Sequence, residues 1–353
     1  ELIQNSIDAG TREIEVSVEI EDDDSIPHDA AKALALVTVE DWGSGMTRQI
    51  IDRQLCRLFS SSKYGDYTQI GRFGIGFVSV YAVDPAWVCV DTGRSGENWR
   101  VLFLPDHSFE VYRLREPVEG TRVTVAKRLE REQFEEFRTS CREVVSRWCK
   151  HVPLPVYFNG EDVREPFEID AFCAAEHREE GTRLVAGLVA EMHPLSSFYN
   201  RGLLLKETDD ARWPHLKFKV DSRYLEHTLT RDDVVEDRGY ERIEEVLDRI
   251  ATRELPDRLR ADLVEASENI DLETLGELYP LLTSLARHAP ETVDGWQREP
   301  IFPRVGGAPL SMRQVRREAT LFAAHAESEL ASRVAARHIV LLVANEREFC
   351  MRF

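Results

Sequence analysis

No stretch of the 353-residue sequence is apolar for long enough to span a bilayer, and no secretory signal pattern is visible. Neither fact favours a membrane protein. The six cysteines, Cys56, Cys89, Cys141, Cys149, Cys173 and Cys350, show no C-x-x-C spacing. Most sit in apolar periodic segments, which reads as reduced core thiols of a cytosolic, cytoplasmic protein rather than as a metal site. Basic charge is also short, because 45 Lys and Arg face 64 Asp and Glu for a formal net charge of -19. That balance disfavours nonspecific binding to nucleic acid. There is no G-x-x-x-x-G-K-[ST] run, so a P-loop is absent, and no internal repeat or low-complexity tract occurs. The length suffices for two domains with sizeable cores and part of a third.

What is present begins at once. ELIQNSIDAG, from Glu1 to Gly10, places Glu1, Asn5 and Asp8 on one stripe of a helix while Leu2, Ile3 and Ile7 face mostly the other way. The stripe is acid, amide, acid, with no Lys or Arg to pair along it. Glu can act as a general base toward water, and an Asn carbonyl oxygen is a hard, neutral ligand suited to Mg²⁺. Next comes the alternating TREIEVSVEI, a strand pattern. ALVTVEDWGSGM follows as an apolar strand that stops at Asp41 before Gly43 and Gly45. A carboxylate at a strand end can accept from a buried amine, while flexible glycines let a flat ring approach the backbone. In IGRFGIGFVSVYAV, Gly71, Gly74 and Gly76 precede an apolar run, and backbone N–H groups exposed before a helix bind phosphate.

The set E-x-x-x-N-x-x-D-A, D-x-G-x-G-M and G-x-x-G-x-G-F, all within the first 80 positions, resembles the ATP site of the superfamily of DNA gyrase B, Hsp90, histidine kinases and MutL (GHKL). Several segments narrow this to the Hsp90-like branch. GRFGIGFVSVYAV is similar to the Hsp90 F-G-x-G-F-x-S-x-Y pattern, and LFSSSK to its Ser-rich lid approach ending in Lys63. EGTRVTV resembles the strand closing the adenine pocket and puts Thr121 beside Asp41. KFKVDSRYLEHTLTRDDV matches the Hsp90 middle-domain run V-D-S-x-x-L-x-x-x-[IL]-[ST]-R, with Val220, Asp221, Ser222, Leu225, Leu229, Thr230 and Arg231 in register. One departure is Val235, where the family often carries Gln.

The resemblance implies an α+β protein: a Bergerat-fold ATPase domain, an α/β two-layer sandwich, followed by an Hsp90-like α/β middle domain. It implies an ATPase with ATP and Mg²⁺ as cofactors and Glu1 and Arg231 as catalytic residues. Glu1 would activate water, and Arg231 would reach the γ-phosphate from the second domain. Asn5 would hold the metal, and Asp41 would accept from the adenine amine with Thr121 on a bridging water. Asp8 would support a pocket that also draws on Ala9, Gly43, Gly45, Met46, Lys63, Gly71, Arg72, Phe73, Gly74, Ile75, Gly76 and Phe77, under a lid spanning roughly 47–69. The partners implied are ATP and ADP with protein clients gripped by a clamp, and a homodimer is among the assemblies. A second reading is a MutL-like or signalling ATPase that switches assembly with a dedicated protein partner.

Along the chain, Phe134, Phe137, Cys141, Val145 and Trp148 mark a helix ended by Pro153, and LPVYFNGEDV a strand with an Asn159–Gly160 hairpin turn. The expected division is an ATP-binding domain over 1–150, a middle domain over 151–255 and a helical, mixed region of unassigned role over 256–353. Strands are expected in RLVAGLVAEM, RGLLLKE, HLKFKV and HIVLLVAN. A helix face is expected at Tyr240, Ile243, Val246, Leu247 and Ile250, with further helices in DRLRADLVEAS and LETLGELYPLLTSLARHA. Opening at Glu1 inside the candidate catalytic helix and stopping in mid-pattern, the sequence reads as a piece of a longer protein.

Overall fold

The computed structural model describes residues 1–22, 31–56, 76–191, 193–209, 212–213, 215–228 and 233–343. The chain groups into two compact units, one of Glu1–Pro166, Tyr199–Leu205 and Asp221–Val234, the other of Phe167–Phe198, Lys206–Val220 and Val235–Phe353.

In the first unit the strands are β1 (Ile14–Asp22), β2 (Lys32–Asp41), β3 (Trp87–Arg94), β4 (Glu97–Phe103), β5 (Phe109–Arg113), β6 (Gly120–Glu130), β7 (Val156–Phe158) and β8 (Glu161–Asp162). Among the described residues they form one eight-stranded sheet in the order β5-β4-β3-β6-β2-β1-β7-β8, antiparallel except where β7 runs parallel to β1. Alternation sets its two faces. Ile14, Val16, Val39, Val88, Val90, Val101, Val123 and Val125 share one face and are buried. Helix α1 (Leu2–Asp8) sends Ile3 and Ile7 into that face, and α3 (Phe134–Cys149) sends Phe134 and Cys149. Short helix α2 (Arg48–Ile50), the π-helical turn Ile51–Leu55 and the 3₁₀ helix Gly76–Val83 cover the rest through Ile51 and Val80. Each such buried aliphatic side chain contributes about 1.5–3 kcal/mol.

The opposite face is polar at the Asp41 end of the strands and carries a small buried apolar cluster of Leu34, Ala86 and Ala126 at the other end. Glu40 lies across from Arg122, Arg122 from Asp91, and Asp91 from Arg100. Arg122 pairs with Glu40 at 2.6 Å and Arg100 with Asp91 at 2.6 Å. Exposed pairs of this kind contribute only about 0–1 kcal/mol each, so the helix-covered face holds the unit together. One layer of helices on one mixed sheet is the expected α/β two-layer sandwich.

The second unit draws on β9 (Cys173–Glu179), β10 (Thr182–Leu188), β11 (Ser196–Asn200), β12 (Leu203–Thr208) and β13 (Leu216–Ser222), in the order β12-β11-β13-β10-β9. Helix α4 (Arg238–Arg249) starts where the Asp237 carboxylate accepts from the Gly239 and Tyr240 amides, and it buries Tyr240, Ile243 and Leu247. After it come α5 (Leu255–Glu268), α6 (Leu272–His288) and a four-stranded sheet that includes Ile339–Leu342. Among the described residues no helix is long and apolar enough to cross a membrane.

Candidate functional site

Asp41 is the last residue of β2, on the helix-covered face, where Ile14 flanks it on one side and Thr121 on the other. It is 4% exposed. The Ser6 hydroxyl of α1 donates to Oδ2 at 2.8 Å and the Gly43 amide to Oδ1 at 2.8 Å. The Thr121 backbone is a third donor. Burial raises the Asp41 pKa above the ordinary 3.8, opposed by these hydrogen bonds. A carboxylate offers about four lone-pair positions, so the three donors found among the described residues leave about one acceptor position for a further donor. That is what an exocyclic amine of a purine needs.

Around Asp41 the backbone is packed too closely for side chains at two glycines. Gly45 has φ +60, and a Cβ there would overlap the Gly93 carbonyl oxygen. Gly120 has φ +67, and its Cβ would overlap the Asp41 carbonyl oxygen. Only glycine takes both the conformation and the contact without strain. Thr92, fully buried, ties the wall together: its hydroxyl accepts from the Met46 amide at 2.9 Å, donates to the Gly120 carbonyl at 3.0 Å and lies 3.0 Å from the Thr121 hydroxyl. The Ser44 amide donates to the Ala9 carbonyl at 2.9 Å, joining the glycine loop to the end of α1.

The structure therefore brings Ala9, Asp41, Gly43, Gly45, Met46 and Thr121 together at one end of the sheet. Asn5 and Asp8 are half-buried on α1, whose inner side is Ile3, Gln4, Ser6 and Ile7. The Asn5 amide donates to the Glu1 carbonyl at 2.9 Å, closing the first turn. Half-buried Glu1 borders a cavity of about 330 Å³ with Trp148, Leu204 and His227, all of the first unit. Gly76 opens the 3₁₀ helix, and the Phe77 ring packs 5.0 Å from Phe103. Lys63, Gly71, Arg72, Phe73, Gly74, Ile75 and Arg231 lie outside the described residues, as does most of the expected lid. Ser6, Thr92 and Gly120 escaped sequence reasoning. A signal existed for Ser6, a hydroxyl one position after Asn5 on the buried side of an amphipathic helix.

A strand-end carboxylate, buried beneath a helix and flanked by close-packed glycines, defines the class. Residues 1–106 match the family described as Histidine kinase-, DNA gyrase B-, and HSP90-like ATPase, so this region is a GHKL-type domain. Within that class it is Hsp90-like. The chain is 33% identical over 144 residues to the chaperone protein HtpG of Anaplasma phagocytophilum (strain HZ), covering 36% of this chain and 22% of that protein. It is 28% identical over 148 residues to HtpG of Actinobacillus pleuropneumoniae serotype 5b (strain L20), covering 38% and 23%. With HtpG of Chlorobium chlorochromatii (strain CaD3) it shares 27% identity over 183 residues, covering 44% and 28%. The match thus spans less than a third of the length of each relative.

Proposed function

We propose that the chain binds ATP and hydrolyses it, and that nucleotide occupancy drives a chaperone-like clamp acting on protein clients. The observation that carries this reading is the buried Asp41 carboxylate which, among the described residues, keeps an acceptor position unused beside Gly43 and Gly45. Asp41 would accept from the adenine amine, and Thr121 would hold a bridging water. Asn5 fits a magnesium ligand in kind, since its side-chain oxygen is hard, neutral and half-buried; phosphate oxygens and waters would complete the shell. Bound Mg²⁺ would neutralise phosphate charge. Glu1, one turn before Asn5, would orient and deprotonate the attacking water. Gly71, Gly74 and Gly76 would offer backbone donors to the phosphates, with Lys63 nearby, and Asp8 would brace the pocket.

Arg231 would stabilise charge on the γ-phosphate. Its segment leads on from His227, which borders the same cavity as Glu1, and this supports the assignment. In this scheme residues 1–150 bind nucleotide, 151–255 act as the middle domain, and 256–353 carry no assigned role.

Calorimetry with Mg²⁺-ATP tests the reading. The parent chain should bind, and Asp41→Asn should bind about ten- to a hundredfold more weakly, the cost of a charge-assisted bond in a buried site. A parent chain that does not bind would sink the proposal, and equal affinities would remove Asp41 from the pocket.

A further inference from the structure

The polar face of the eight-stranded sheet carries a row of side chains in register: Tyr157, Glu15, Glu40, Arg122, Asp91 and Arg100. Charge alternates along most of it. Arg122 satisfies Glu40 and Arg100 satisfies Asp91, yet Glu15 stands directly across from another acid, Glu40. Like charges opposite one another on a sheet repel. Among the described residues no base is paired with Glu15 or with Glu13, and Arg164, close to Tyr157, is held by Asp162 at 2.6 Å. The row therefore ends one cation short.

At that end there is a concavity of about 260 Å³ lined by Glu13, Glu15, Trp42, Tyr157 and Gly160. Trp42 is 40% exposed, although its backbone is fixed: its amide donates to the Thr11 hydroxyl at 3.1 Å, and its Cα packs against Gly120. Two aromatic rings beside two carboxylates attract an organic cation, because ring faces and carboxylates both carry negative potential. A metal ion is a poor fit, since hard cations require several oxygen ligands and gain nothing from indole. The geometry points to a recognition pocket for a lysine side chain of a partner polypeptide. The alkyl stem packs on Trp42 and Tyr157, and the ammonium completes the charge row between Glu13 and Glu15. Both carboxylates are exposed, so a side chain carried on a backbone reaches them from solvent. This pocket lies on the sheet face opposite the Asp41 carboxylate and is independent of the nucleotide reading.

The test uses the full chain with ¹⁵N-labelled tryptophan indoles, six in all, the Trp42 signal being identified by its loss in Trp42→Phe. Acetyl-Gly-Lys-Gly-amide should shift the Trp42 signal saturably at roughly millimolar concentration, whereas the norleucine peptide should not. Glu15→Gln should weaken the response about 2- to 5-fold, as for loss of an exposed ion pair, while the other five indole signals report an intact fold. An equal response to the norleucine peptide, no saturable response, or no change in Glu15→Gln would overturn the proposal. So would tighter binding of free butylammonium than of the lysine peptide, since that would make the pocket a small-amine site.

Discussion

Ser6 and Asp41, 35 positions apart, are joined by a 2.8 Å hydrogen bond in which the α1 hydroxyl donates to the β2 carboxylate. Both groups are buried. This contact fixes the helix bearing Glu1 and Asn5 against the strand bearing the candidate adenine acceptor, so the two halves of the proposed site share one register.

Ser6→Ala should cost about 1.5–3 kcal/mol of unfolding free energy, because a buried carboxylate loses one of its donors. Urea denaturation checks it. A change within a few tenths of a kcal/mol would mean that other donors replace the hydroxyl.

The Asp41 charge also has a pH signature. Burial raises its folded pKa above 3.8, so the folded chain holds the proton more tightly than the unfolded chain. The stability contributed by this protonation is fully present below 3.8 and is lost as pH rises through the raised folded value. Comparing unfolding free energies of the parent and Asp41→Asn across that window should show the parent gaining relative stability as pH falls. A pH-independent difference would contradict the burial account.

Gly120→Ala tests the close packing of β6 on the strand end. The φ of +67 alone costs an alanine about 1–2 kcal/mol, and the overlap with the Asp41 carbonyl adds to it by displacing the strand. Loss of stability should be accompanied by weaker nucleotide binding. Parental values for both would refute the role given to this glycine.

Glu1→Ala and Arg231→Ala separate binding from turnover. Glu1→Ala should retain ATP affinity while hydrolysis falls ~10²- to 10⁴-fold, the usual loss for a general base. Arg231→Ala should leave ADP affinity unchanged and lower ATP turnover by ~10-fold or more. Steady-state rates with parallel calorimetry distinguish these outcomes. Equal loss of binding and rate in Glu1→Ala would make it structural, and an unchanged rate in Arg231→Ala would remove the γ-phosphate role.

Local signals foretold much of the fold. The alternation of Ile14, Val16 and Val18 fixed β1, and the Asn159–Gly160 pair, both at positive φ, closes the β7–β8 hairpin as expected. The stripe from Phe134 to Val145 became α3, although Trp148 is exposed rather than part of the buried face. β3 and β4 are joined by Ser95–Gly96, both at positive φ, a hairpin turn that the reading of the sequence passed over, and the pairing of β3 with β6 is visible only in three dimensions. The apolar run from Gly76 forms a 3₁₀ helix, a conformation that hydrophobic periodicity does not specify. The acid and the glycines of the site were legible because their chemistry is rare at such spacing. Ser6 and Thr92 were not, because a hydroxyl looks the same in sequence whether it faces water or a buried carboxylate.

The parallel pairing of β1 with β7 has a consequence for synthesis. On the ribosome β1 meets β2 almost at once, but its other edge stays open until Val156–Phe158 has been made. Until then Ile14, Val16 and Val18 belong to a sheet with an unprotected flank, a template for pairing with another chain. Glu15, Glu19 and Glu21 line the solvent side of that flank, and their mutual repulsion between nascent chains would keep it single until its own partner arrives.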